Sequence, residues 1–200
     1  MKVAIDVTGK QTHIAWLGES GLQYKSIDDA RPSATLLPVL KSCLDAAPIS
    51  QLGVVIGPGS FTGIRTGIAT ALGLKSALGI PVLGFNKFVL MALLHQGENE
   101  VSHLLVPGRA PALFYGKVKD GVLVDSVQEI RVPSLLPDTR YVCTIPVDHP
   151  DVKVEAAHFA ALAIQAMQMG MGDPDLTPLY VRPADTRLNP SLIEKLLAGD

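Results

Sequence analysis

A glycine-rich turn between a short apolar run and a long apolar helix constrains the fold of this chain more than any other feature. The turn, Gly57-Pro58-Gly59-Ser60-Phe61-Thr62-Gly63, follows Leu52–Ile56 and precedes a helical pattern from about Thr62 to Leu78. A short apolar run that ends in such a turn is typical of a strand inside a sheet that helices cover. The sequence therefore predicts an α/β protein.

The elements around the turn follow the order strand, strand, strand, helix, strand, helix, strand. Turn residues separate the strand-like segments Val3–Val7, Thr12–Leu17 and Leu22–Ile27, which favours an antiparallel meander. An amphipathic helix follows, and Pro38 is expected in its first turn, where its missing N–H is harmless. The helix is indicated by apolar residues at steps of three and four: Leu36, Leu40, Cys43, Leu44 and Ala47.

After about residue 99 the sequence pattern changes to mainly strand-like segments. We therefore expect two lobes, residues 1–99 and 100–200. The second lobe has four strand-like segments, Leu104–Val106, Leu113–Val118, Val122–Ile130 and Tyr141–Ile145. We expect one helix after them, from about Val154 to Met169, and a short helical turn over Ser191–Leu197. The predicted architecture is two mixed sheets flanked by helices.

The glycine-rich turn has two open interpretations. Backbone N–H groups at a helix N-terminus can bind a phosphate, but Ile64-Arg65 stand where a Walker loop requires Lys and Ser or Thr. The favoured alternative is a tight turn that packs the helix closely on the sheet. Residues that could contact a phosphate or nucleotide are Asp6, Gly57, Gly59, Ser60, Thr62, Gly63 and Arg65.

The helix after the turn carries a stripe of small residues, Gly63, Gly67 and Ala71, at four-residue spacing. Such a stripe lets another backbone approach closely, either that of the chain's own sheet or that of a second subunit. Only Arg65 and Lys75 are charged between Thr62 and Leu78, so the helix is buried on more than one side. Candidate partner-interface residues are Leu36, Leu40, Cys43, Leu44, Gly63, Gly67, Ile68, Ala71 and Leu74.

No catalytic residues and no metal site are predicted. The five histidines form no HxxxH or HExxH pair, and no Gly-x-Ser-x-Gly elbow exists. With a net charge of −2 and no basic stripe, the protein is expected to meet RNA only through a partner. No apolar run is long enough to span a membrane. Cys43 and Cys143 are expected to be reduced thiols, which is typical of the cytoplasm, so a cytoplasmic protein is expected.

The segment from Gly57 to Gly67 resembles the signature of the TsaB family, also called YeaZ. Four further segments agree: Ala4-Ile5-Asp6 resembles the opening strand, Leu36-Leu37-Pro38 the first helix, Ile80–Gly84 the passage from helix to strand, and Pro178–Arg182 the family's Pro-x-Tyr-Leu-Arg. The sequence departs from the family in its second lobe, where Pro107–Ala112 keeps only Arg109 of the usual Asp-Ala-Arg-x-Gly-Glu.

The resemblance implies an actin/Hsp70/sugar-kinase-like (ASKHA) fold of two lobes with a degenerate second lobe. It also implies a non-catalytic subunit that binds and activates TsaD, the enzyme that transfers threonylcarbamoyl to a tRNA adenosine. The resemblance also implies TsaE as a third partner and a homodimer when the protein is isolated. It implies that the protein contacts tRNA only through the complex. No cofactor is implied, and weak binding of ATP, ADP or Mg²⁺ is expected only within a complex.

Two other functions remain open at this point. A small-molecule kinase or ATPase of the actin-like class would hold phosphates through Mg²⁺ with Asp6 and the Gly57–Gly63 turn. A peptidase, the older label of the family, lacks metal ligands and a triad in this sequence.

Overall fold

The computed structural model describes residues 1–28, 32–95, 101–108, 111–137, 139–154 and 157–181. A first sheet is built from β1 (Lys2–Asp6), β2 (Thr12–Gly18), β3 (Gly21–Ile27), β4 (Gln51–Gly57) and β5 (Val82–Asn86). The strand order is β3-β2-β1-β4-β5. The three N-terminal strands form the antiparallel meander that the sequence predicts, and β1, β4 and β5 run parallel.

Two helices cover one face of the first sheet: α1 (Pro32–Ala46) and α2 (Phe61–Leu78). Alternate residues of β1, including Val3 and Ile5, point to this face because side chains in a strand alternate. They form a buried cluster with Leu36 and Leu40 of α1 and Ala71 of α2. The two helices are therefore held by a shared apolar core on the sheet.

The opposite face of the first sheet packs on α3 (Lys87–Ala92), which continues into a short 3₁₀ turn (Leu93–His95), and on α4 (Phe159–Gln168). The apolar cluster between them includes Ala4, Val55 and Phe85 from the sheet. Lys2 Nζ donates a 2.8 Å hydrogen bond to the carbonyl oxygen of Met167, near the C-terminal end of α4. A cation there interacts favourably with the helix dipole.

A second, mixed sheet lies beyond α3 along the chain. It contains β6 (Ser102–Pro107), β7 (Leu113–Lys119), β8 (Val122–Leu123), β9 (Gln128–Ile130), β10 (Tyr141–Cys143) and β11 (Val152–Val154). The order is β11-β10-β6-β7-β8, with β9 also paired to β7. Leu104, Val106 and Phe114 of this sheet join the cluster that holds α3 and α4.

Four details of the predicted elements are wrong. Pro38 lies inside α1 rather than in its first turn, because the helix already begins at Pro32, where a proline is well tolerated. The segment Val122–Ile130 forms two short strands, since Val124–Val127 leave the ladder. Val154 ends strand β11, and α4 begins only at Phe159. Strand β10 ends at Cys143, two residues before the predicted Ile145.

Several expectations fall on residues outside the described ranges. These are the lobe boundary near residue 99, the family-like Arg109, Arg182 and the helical turn over Ser191–Leu197. The division into lobes 1–99 and 100–200 stays a prediction.

Candidate functional site

Asp6 ends β1 and its side chain is only 3% exposed. Its Oδ1 accepts hydrogen bonds from the backbone N–H of Thr8 at 2.9 Å and from Thr8 Oγ1 at 2.5 Å. A short acidic side chain that accepts from the residue two positions later is a common way to fix a turn. The carboxylate therefore shapes the β1–β2 turn.

The glycine-rich turn packs directly on that β1–β2 turn. The backbone N–H of Ser60 donates to the carbonyl oxygen of Thr8 at 2.7 Å. A Cβ atom at Gly59 would overlap the same carbonyl, and a Cβ at Gly63 would overlap the carbonyl of Val7. Both glycines are thus required by the close approach of two backbone segments, which is the tight-turn interpretation of this motif.

The N-terminus of α2 is capped by its own chain. Ser60 is the N-cap residue, and its Oγ accepts a 3.2 Å hydrogen bond from the backbone N–H of Gly63. An N-cap serine satisfies one of the donors that a bound phosphate would otherwise use. Thr62 follows with its side chain exposed to solvent.

The segment after α4 closes the other side of the turn. The backbone N–H of Leu179 donates to the carbonyl oxygen of Ile56 at 2.9 Å. A Cβ at Gly57 would lie 2.6 Å from the carbonyl oxygen of Leu179. Earlier in the same segment, Asp173 and Gly84 exchange two backbone hydrogen bonds of 2.7 and 3.2 Å. The Gly57–Gly63 turn is therefore enclosed by two backbone segments of this chain.

Arg65, the last of the candidate phosphate contacts, lies on the exposed side of α2. Its guanidinium carbon is 3.8 Å from the centre of the Phe61 ring, and its Nε donates to the hydroxyl of Tyr180 at 3.2 Å. The Phe61 and Tyr180 rings are 4.9 Å apart, centre to centre. The guanidinium is thus held by two aromatic side chains.

The stripe of small residues on α2 faces the chain's own sheet. A Cβ at Gly67 would lie 3.4 Å from Val54 Cγ2 and 3.5 Å from Val7 Cγ2. Gly63 abuts Val7 as described above, and Ala71 is fully buried. The close approach that this spacing allows is made to the sheet, so these three residues do not form an outer surface of the chain.

The other candidate interface residues are mostly buried between the helices and the sheet. Among them Ile68 is half-buried, and the side chain of Leu44 is outside the part of the chain that the structure describes. The buried ones are Leu36, Leu40, Cys43 and Leu74.

The outer surface of α1 and α2 exposes other apolar residues. Leu37 is 53% exposed, and Leu72 is 46% exposed. A shallow groove of apolar character runs between the helices, lined by Leu37, Pro38, Leu40, Lys41 and Leu74. Leu37 and Leu72 are not among the candidate interface residues. The sequence instead placed the interface one position away, at Leu36 and Ala71, where a helical phase is easily misassigned.

A cluster of aromatic and titratable side chains lies on the α4 side of the first sheet. The rings of His13 and His158 are 4.8 Å apart, and the Tyr24 ring is 4.4 Å from that of His158. Burial lowers the pKa of both histidines, although the charge of Asp6 opposes the shift. Sequence spacing could not indicate this cluster, because 145 positions separate the two histidines.

Neither a metal cluster nor a membrane span is present in the described part of the chain. No three His, Cys, Asp or Glu side chains there are grouped so that they could hold a metal ion. None of the described helices is long and apolar enough to cross a membrane.

The family model that matches residues 31–132 is described as TsaD: tRNA N6-adenosine threonylcarbamoyltransferase. The match covers just over half of the 200-residue chain. The chain belongs to this family. Within it, the assignment to TsaB (YeaZ) made from the Gly57–Gly67 segment is confirmed.

A TsaB protein of Haemophilus influenzae, named tRNA threonylcarbamoyladenosine biosynthesis protein TsaB, is 29% identical over 125 residues. The match covers 58% of this chain and 48% of that protein, so this chain spans about half the length of the relative. An uncharacterized protein of Mycobacterium leprae is 35% identical over 68 residues, which are 34% of this chain and 18% of that protein.

Two solved structures from Pseudomonas aeruginosa share the fold. One is described as YeaZ, with a TM-score of 0.64 at 20% identity, covering 90% of this chain and 98% of that chain. The other is described as an uncharacterized protein similar to peptidase YeaZ, with a TM-score of 0.66 at 21% identity, covering 90% and 99%. The expected α/β fold, with mixed sheets flanked by helices, is therefore confirmed, and the YeaZ structures share it.

Proposed function

We propose that this protein is a non-catalytic subunit of a complex that makes threonylcarbamoyladenosine in tRNA, and that it binds a TsaD-type catalytic subunit. The observation that supports this most is the outer surface of α1 and α2, which exposes an apolar groove and the leucines Leu37 and Leu72. Exposed apolar surface of this kind is typical of a protein–protein interface.

The outward side of α2 also suits a closely packed partner helix. Ala69, Gly73 and Ser76 are exposed, and a Cβ at Gly73 would have no heavy atom within 4 Å. A glycine inside a helix costs about 1 kcal/mol relative to alanine, and no contact in the described part of the chain requires this one. Small side chains allow the backbone of a partner helix to approach.

The geometry of the glycine-rich turn supports a non-catalytic role. A phosphate loop leaves its backbone N–H groups free for the ligand. Here the N–H of Ser60 donates to Thr8, that of Gly63 donates to Ser60, and Leu179 closes the remaining side. We therefore propose that ATP, ADP or Mg²⁺ binds weakly at most, and only within the complex.

The remaining partners follow from the same proposal. A TsaE-type ATPase completes the complex. In the isolated protein, the α1–α2 surface that would bind the TsaD-type subunit pairs with a second copy of the chain. tRNA is bound through the catalytic subunit, because a net charge of −2 without a basic stripe gives little affinity for phosphates.

The test is a binding and activity assay with the TsaD-type protein of the same organism. We expect a stable complex, and tRNA modification that requires both proteins. Leu37→Asp and Leu72→Asp should weaken the complex at least about tenfold, as expected for central interface residues, without changing the melting temperature. Leu136→Asp is the matched control. Leu136 is 65% exposed but lies outside α1 and α2, in the segment before strand β10 of the second sheet.

Two results would contradict the proposal. One is unchanged affinity in both leucine variants. The other is steady-state ATP turnover by the isolated protein that disappears in Asp6→Ala, which would favour a kinase or ATPase of the same fold.

A further inference from the structure

Within the described ranges, Arg65 is held on the outer side of α2 by aromatic side chains and has no acidic partner. Its guanidinium lies 3.8 Å from the Phe61 ring centre, and among the described residues only its Nε forms a hydrogen bond, to the hydroxyl of Tyr180. No ion pair joins Arg65 to an acidic side chain within the described ranges. Arginine is suited to bidentate binding of a carboxylate when its two terminal nitrogens are free.

The dipole of α2 does not account for a cation at Arg65. The N-terminal end of a helix carries partial positive charge, so a cation close to it gains nothing from the dipole. The other charged residue of α2, Lys75, lies in the last turn, where a cation is favoured. The dipole of α2 therefore does not favour a cation at Arg65, unlike at Lys75.

Arg65 shares one stripe of α2 with the proposed interface. Arg65, Ala69, Leu72 and Ser76 are spaced by four, three and four residues, which places them on one side of a helix. Arg65 and Leu72 are seven residues apart, or about 10 Å along the axis. The stripe thus combines one cation with otherwise uncharged side chains.

We propose that Arg65 forms an ion pair with a carboxylate of the protein partner that docks on the α1–α2 surface. This inference rests on the proposed function and names the residue that would give the interface its specificity. Phe61 and Tyr180 restrict the guanidinium before the partner arrives, which reduces the entropy lost on binding. Arginine anchors near the centre of an interface often dominate its binding energy.

A carboxylate fits this cation better than a nucleic-acid phosphate does. Phosphate backbones are bound by several cations together. The next cation of α2, Lys75, is ten residues away, or about 15 Å along the axis. One isolated guanidinium beside exposed leucines instead matches a mainly apolar interface with a single charged contact.

The experiment measures binding of full-length variants to the TsaD-type protein by calorimetry. We expect Arg65→Glu to raise Kd at least about tenfold, and Arg65→Lys to raise it less because lysine cannot form the fork. Lys75→Glu is the control with the same charge change in the same helix, and its Kd should stay near that of the wild type. Tyr180→Phe removes only the hydroxyl that holds Nε, so a small rise in Kd is expected.

A charge swap identifies the group that Arg65 meets. Acidic residues of the TsaD-type protein that crosslink near Arg65 are changed to arginine, and one of them should restore binding to Arg65→Glu. Unchanged Kd in Arg65→Glu overturns the inference, as does a fall in its melting temperature that accounts for the loss, since Arg65 would then serve its own fold. A variant that loses tRNA binding but keeps the protein complex also overturns it.

Leu72→Asp separates this inference from the proposed function. If Leu72→Asp weakens the complex and Arg65→Glu does not, the interface stands and the ion pair fails. If Leu37→Asp, Leu72→Asp and Arg65→Glu all leave Kd unchanged, the proposed interface itself fails.

Discussion

His13 and His158 face each other edge to face, with ring centres 4.8 Å apart, although one lies on β2 and the other caps α4. His13 Nδ1 is 2.9 Å from Ser26 Oγ, whereas both ring nitrogens of His158 are buried without a hydrogen-bond partner among the described residues. Burial of part of each ring favours the neutral form of both imidazoles. The contact therefore makes the junction between α4 and the first sheet sensitive to pH.

We expect the protein to lose stability as the pH falls below about 6.5, the ordinary pKa of histidine. Burial lowers the pKa of both His13 and His158 in the folded state. The unfolded chain then binds more protons in this range, so the free energy of unfolding decreases as the pH falls from about 6.5 toward the folded pKa values. Urea unfolding at pH 5.0 and 7.5 would measure the difference.

His158→Phe should reduce this pH dependence. Phenylalanine keeps a flat ring beside His13 and Tyr24 but has no nitrogen to leave unsatisfied or to protonate. Stability at pH 7.5 should stay the same or rise by about 1 kcal/mol, since an unpartnered buried polar group costs about 1–3 kcal/mol. An unchanged difference between pH 5.0 and 7.5 in this variant would exclude His158 as its source.

Two glycines of α2 should respond to alanine in opposite ways. A Cβ at Gly63 would overlap the Val7 carbonyl, so Gly63→Ala must separate the helix from the β1–β2 turn and should cost about 3 kcal/mol or more. A Cβ at Gly73 meets open space, so Gly73→Ala should stabilise the protein by about 0.5–1 kcal/mol. Thermal unfolding of both variants measures the contrast, and equal effects would contradict it.

Local signals in the sequence were sufficient for most of the first sheet. The alternation in Thr12–Leu17, the turn residues around it and the glycine-rich turn each depend on neighbouring positions, so the meander and the strand-to-helix passage could be predicted. The favoured use of the Gly57–Gly63 turn as a packing device also came from local sequence, because the residues of known phosphate loops are missing.

Longer-range relationships could not be predicted from spacing. Periodicity shows that Gly63, Gly67 and Ala71 share a side of α2, but it does not say whether the sheet or a partner lies against that side. Leu179 closes the glycine-rich turn from more than a hundred residues away. Strands β8 to β11 have two or three residues each, so the alternation of apolar and polar side chains along them is too short to indicate a strand.

Gly67→Leu is expected to destabilise the fold rather than only to block a partner. A Cβ at Gly67 would already be in contact with Val54 and Val7, so a leucine side chain must push α2 away from the sheet. Overpacking of this kind costs about 1–3 kcal/mol. Chemical unfolding measures the loss, with Ala69→Leu as a control because Ala69 is exposed on the same helix. A Gly67→Leu variant with wild-type stability would contradict the inward orientation.

Asp6 offers a direct comparison between a structural carboxylate and one that holds a phosphate or Mg²⁺. In the structure its Oδ1 accepts from the N–H and the hydroxyl of Thr8. Asp6→Asn keeps an oxygen acceptor of the same size, whereas Asp6→Ala leaves the buried N–H of Thr8 without a partner. We therefore expect Asp6→Ala to lose about 1–3 kcal/mol of stability and Asp6→Asn to lose clearly less.

tRNA modification by the complex should follow stability in both variants, so Asp6→Asn should remain close to the wild type. A metal-bound or phosphate-bound carboxylate would behave differently, because removing its charge abolishes the electrostatic contact in either variant. Equal and complete loss of modification in both variants, with Asp6→Asn still folded, would show that the charge of Asp6 is used in the chemistry of the complex.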